Sequence, residues 1–140
     1  MRRVRRFLRL SRAERTLLLQ AAFSIMAVRV GLRFLSFERL QVFACRGAGR
    51  ATTPVRSDRI VWAVEAAARH IPASSCLNKA LAAQALLARH GYVSQLMIGV
   101  AKDEALRLEA HAWITCQDRV LIGGPETGRY TPLLNLEVRS

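Results

Sequence analysis

Two stretches decide the fold. The first is Ser74-Ser75-Cys76-Leu77-Asn78-Lys79-Ala80-Leu81, and the second is Ala110-His111-Ala112-Trp113-Ile114. The first opens a helix. Small hydroxyl residues stand before a run rich in Ala and Leu, which continues to Arg89 and His90. Gly91 then occupies the place of a C-terminal cap. The second has the two-residue period of a strand. His111 and Trp113 fall on one face, and Ala110, Ala112 and Ile114 on the other. A helix bearing a cysteine at its start, followed by a strand bearing a histidine, predicts an α+β protein with an antiparallel sheet.

The neighbouring sequence agrees. Val93 to Ala101 reads as a strand with Leu96, Ile98 and Val100 on one face, and Lys102 to Glu109 as a polar connection. Gln117-Asp118-Arg119 reads as a tight turn into a third strand, Val120 to Ile122, which Gly123-Gly124-Pro125 breaks. Tyr130 to Val138 is the place for a last strand. On the N-terminal side, Ser57-Asp58 opens a helix with Ile60, Val61, Val64, Ala67 and Ala68 in helical spacing, ended by Ile71-Pro72. Residues 46–56 contain two Gly, two Thr and a Pro, and read as a linker. Before them, Ser11-Arg12-Ala13-Glu14 has the form of a capping box at the start of a long apolar helix, and a second short helix fits residues 36–44. The expected division is a basic helical N-terminal extension, 1–50, and a second unit, 51–140.

Charge follows that division. The chain of 140 residues carries 22 Lys and Arg against 10 Asp and Glu, a balance of +12. Residues 1–50 hold twelve Arg and only Glu14 and Glu38 as acids, so +10, which leaves +2 for the remainder. With 51% hydrophobic residues the chain is no disordered polycation. The basic residues are interleaved with aliphatics and lack RNA-binding aromatic motifs, so no nucleic-acid partner is expected. A non-enzymatic basic module is the reading this argues against. Surface contact with a membrane through residues 1–40 is an expectation, as is packing of the apolar helix. The unbroken apolar run, interrupted by Gln20 and Ser24 and followed by Arg29 and Arg33, is short for a membrane span.

Three cysteines, Cys45, Cys76 and Cys116, form no C-x-x-C pair and are odd in number. That predicts neither a disulfide framework nor a metal site, and points to a reducing, cytoplasmic setting with thiols acting singly. Cys45 and Cys116 read as packing residues. Cys76 differs, because a helix start presents unpaired amides and a partial positive charge, which favour a thiolate and can hold an oxyanion. His111 on the following sheet can take the thiol proton and return it to a leaving group. This is the Cys–His arrangement of papain-like and transglutaminase-like enzymes.

Four segments extend that likeness: Ser75-Cys76-Leu77, Leu86-Leu87-Ala88-Arg89-His90-Gly91, Leu96-Met97-Ile98-Gly99-Val100 and Ala110-His111-Ala112-Trp113. In this order the chain resembles the lasso-peptide maturation proteases, from about residue 57 to 134 and more loosely around Leu10 to Arg15. The resemblance implies a transglutaminase-like cysteine peptidase that removes the leader of a ribosomally made precursor peptide. It implies a separate leader-recognition protein, since residues 1–50 lack a strand-rich recognition domain. It also implies work beside an ATP-dependent macrolactam cyclase, although no P-loop stands in this chain and no cofactor is expected in it. Acyl transfer or deamidation on a peptide is the alternative chemistry. Some relatives carry an Asp about a dozen residues after the His, where this chain has Gly123. Asp118 and Glu126 are the acids close enough in sequence to replace it, with Asp118 preferred, and a backbone carbonyl or amide side chain is the other option.

Overall fold

In a computed structural model the described residues are 1–46, 49, 54–72, 74–123 and 131–138. The helices are α1 (Arg2–Leu8), α2 (Arg12–Phe34), α3 (Phe37–Arg46), α4 (Ser57–Ala68) and α5 (Cys76–Arg89). The strands are β1 (Ser94–Lys102), β2 (Leu108–Cys116), β3 (Arg119–Ile122) and β4 (Thr131–Val138). They form one antiparallel sheet in the order β3-β2-β1-β4. The α+β reading holds, with a helical N-terminal part. Most of the 46–56 linker, and Glu126, lie outside the described residues.

Local chemistry sets the helix ends. Ser11 Oγ accepts from the Glu14 amide at 3.2 Å, while the Ser11 amide donates to the Glu14 carboxylate at 2.9 Å, so the capping box is closed in both directions. Ser75 Oγ accepts from the Asn78 amide at 3.2 Å and caps α5. At the other end of α5, Gly91 adopts φ +83. Its amide donates to Ala88 O and that of Tyr92 to Leu87 O, the two bonds of a Schellman closure. This turn sends the chain directly back along the helix as β1. Between β2 and β3, Gln117 and Asp118 take φ +50 and +61, the left-handed pair that a two-residue type I′ hairpin turn requires.

Packing unites the halves. Leu17, Ala21, Ile25 and Val28 of α2 share one core with Ile60, Ala63 and Val64 of α4 and with Leu81 and Leu87 of α5. Leu96, Ala112, Ile114 and Ile122 of the sheet complete it. The apolar helix near the N-terminus is therefore a core element as well as a basic one. Polar ties follow the same seam: Glu14 to Arg59, Arg29 Nη1 to Pro72 O at 2.8 Å, and Tyr92 Oη to Val55 O at 2.8 Å. The Arg59 guanidinium also lies 4.6 Å over the Trp62 ring.

Candidate active site

The α5–β1 reversal fixes where the two predicted site residues lie. From Cys76 to Arg89 the helix is about 20 Å long. From Ser94 to Gly99 the returning strand covers about 17 Å. Gly99 is the register partner of His111 in β2. Cys76, at the start of α5, and His111 are thus brought to the same end of the helix–sheet unit. The β1–β4 register also shifts at Ile98/Gly99, a bulge beside this level.

Cys76 is a free, half-buried thiol packed against the core. It stands in the first turn of α5, where Ser75 fixes the helix entry. Cys116 contrasts with it. That thiol is buried, donates to Val93 O at 3.3 Å and is pushed up by desolvation. The expectation that Cys116 is a packing residue holds. The Cys45 side chain lies outside what the structure describes.

His111 is partly buried and stacks on Trp113, with ring centroids 6.0 Å apart and planes inclined by 22°. Its Nε2 lies 2.9 Å from the Gly123 carbonyl. A carbonyl only accepts, so Nε2 carries the proton and the basic lone pair of the neutral ring is on Nδ1. Ala112 and Ile114 face the α5 core, as strand alternation requires, and His111 and Trp113 occupy the other face. Among the described residues no hydrogen bond joins Cys76 to His111. The two share a level, not a contact.

Gly123 is the position where some relatives of the resembled family carry Asp. In this chain it has φ +118, and a Cβ there would overlap the Trp113 side chain and press on His111 Nε2. Only glycine fits, and what it offers the imidazole is its backbone. Asp118 sits in the exposed β2–β3 turn, seven extended residues from His111, about 20 Å away. The structure does not bring it to the ring. The signal in the sequence was Gly123, which follows the end of β3 and lies against Trp113.

A cysteine opening a helix that packs on an antiparallel sheet with a histidine strand defines the architecture of transglutaminase-like cysteine enzymes. The chain belongs to the transglutaminase-like superfamily, whose family model matches residues 17–135. The match begins within α2, in agreement with that helix being part of the core. The superfamily includes cysteine peptidases and acyltransferases. No curated protein and no solved structure matches the chain.

Proposed function

We propose that this protein is a cysteine peptidase that cuts the leader from a ribosomally made lasso-peptide precursor. The observation that carries the reading is the His111 Nε2–Gly123 O bond, on a ring level with a cysteine at a helix start. Cys76 Sγ attacks the carbonyl at the leader–core junction, and its proton passes to His111 Nδ1. The Cys76 amide, one of the unpaired donors of the first helical turn, faces the developing oxyanion. The imidazolium then protonates the leaving amine, and water hydrolyses the thioester. The Gly123 carbonyl is the orienting group, because it holds the tautomer that leaves Nδ1 basic. In this structure α5 lies on the Ala112 and Ile114 face of the sheet and His111 on the other, so the proton transfer requires the ring to reach the α5 side once substrate is bound.

The acyl-enzyme is common to peptidases and acyltransferases, so the acceptor separates them. Precursor is incubated with the full chain and its leader-binding partner, and the products are weighed. A fragment lighter by the leader, lost in Cys76→Ala and His111→Ala, is the expected result. An amine adduct, or a gain of about 1 Da from Gln deamidation, would instead assign acyl transfer or deamidation. Full cleavage by Cys76→Ala would overturn the cysteine mechanism altogether.

A further inference from the structure

The α2 helix has two apolar faces. Leu17, Ala21, Ile25 and Val28 are buried in the core. Leu19, Phe23, Met26, Val30 and Phe34 are exposed, Phe23 by 76% and Phe34 by 81%. At 3.6 residues per turn these five lie within an arc of about 80°, opposite the buried four. They form a straight ridge about 22 Å long. It continues sideways, since Phe23 and Phe43 line one shallow groove between α2 and α3, and Val42 beside Phe43 is also exposed. On the other flank, Leu19 borders a groove that Phe7 and Leu10 share with Trp62.

The surroundings of this ridge are cationic. The α1 helix buries no residue and carries Arg2, Arg3, Arg5 and Arg6, with Arg9 at its end. Arg12 continues the ridge at one end, and Arg33 borders it at the other. Among residues 1–46 the acids are Glu14, which is engaged by Ser11 and Arg59, and Glu38. By length and composition α2 could cross a membrane. Its inner face is committed to the core with α4 and α5, so lipid cannot surround it while the protein is folded.

We propose that the α2 ridge and the α1 arginines seat this protein on an anionic lipid surface, with α2 lying in the interfacial plane. A convex apolar ridge with an arginine border suits a fluid, negatively charged interface, which conforms to it. With Arg12 and Arg33 at its ends and the α1 arginines beside it, the ridge matches a negatively charged lipid surface better than the apolar face of a partner helix. This placement does not depend on the reaction proposed for Cys76.

The test is co-sedimentation of the full chain with phosphatidylglycerol/phosphatidylcholine vesicles and with pure phosphatidylcholine vesicles. Expected is binding to the first, weakened by salt, and little to the second. Phe23→Gln with Phe34→Gln should lower the partition coefficient at least about tenfold. Arg5→Glu with Arg6→Glu should lower it on anionic vesicles alone. All four positions are exposed, and circular dichroism checks that the fold is kept. Vesicle binding unchanged in the Phe pair would overturn the ridge as the contact. No vesicle binding by the parent chain overturns the proposal. If that non-binding chain is also a dimer which the Phe pair makes monomeric, the ridge is a self-association surface.

Discussion

The two long helices α5 and α2 are built from similar residues and put them to opposite use. Nine of the 14 residues of α5 are buried, against four of the 23 in α2, so α5 is the central helix and α2 the outer one. The sheet covers α5 on one side, and α2, α3 and α4 pack around it. Only one side of α2 meets the core. The difference teaches that an apolar run in this chain is no measure of burial. What decides is whether a second layer exists to receive the second face.

The strongest way to break that comparison is to truncate one side chain on each kind of surface. Leu81→Ala in α5 should cost about 2–5 kcal/mol, because it leaves a cavity beneath α2 and α3, beside Val28 and Leu40. Phe23→Ala, a larger truncation by volume, should change stability by no more than about 0.5 kcal/mol. Urea unfolding of both variants measures this. Equal losses would mean that the α2 ridge is covered.

Gly123→Ala probes the site end of the sheet. Its Cβ meets Trp113, and its φ of +118 is one that side chains rarely adopt. A loss of about 1–3 kcal/mol is expected. Precursor cleavage should fall further than stability alone explains, since the His111 partner shifts. An Ala variant with parent-like activity would remove the Gly123 carbonyl from the proposed mechanism.

Capping sharpens the contrast between the two helix starts. Ser75→Ala and Ser11→Ala each remove a side-chain acceptor, for about 1 kcal/mol of stability. Only the first should also slow cleavage, because α5 alone carries Cys76 in its first turn. Thermal unfolding beside the precursor assay separates the two effects.

The smallest effect is acid sensitivity at Glu14. The Ser11 amide, then the Ser11 hydroxyl and Arg59, hold its carboxyl below the usual carboxylate range. A folded-state pKa below the unfolded one gives stability that is present above the ordinary carboxylate range. It is lost as pH falls through the depressed value. Tm measured against pH should therefore drop less toward acid in Glu14→Gln than in the parent. Parallel curves would show that the capping box is not closed in solution.

Much of this was legible beforehand, for local reasons. Capping residues act on amides three positions away, so Ser11 with Glu14 and Ser75 before Cys76 marked their helices directly. Gly91 marked the end of α5, and the alternation around His111 gave its strand face. The helix at Arg2–Leu8 was less legible, since arginines with scattered apolar residues give no cap and no clean period. The partner of His111 depends on where β3 ends against β2. Asp118 is the nearer residue in sequence, yet the hairpin turn carries it away from the ring.

The sequence by itself determined the element order, the helix starts, the thiol at a helix entrance and the concentration of charge near the N-terminus. Each of these follows from contacts within a few residues. Only the tertiary structure decided which face of α2 is inside, that α2 belongs to the same core as the sheet, and that a glycine carbonyl holds His111. Those outcomes rest on register and packing between segments far apart in the chain. There, shape and available surface choose among options that local chemistry leaves equal.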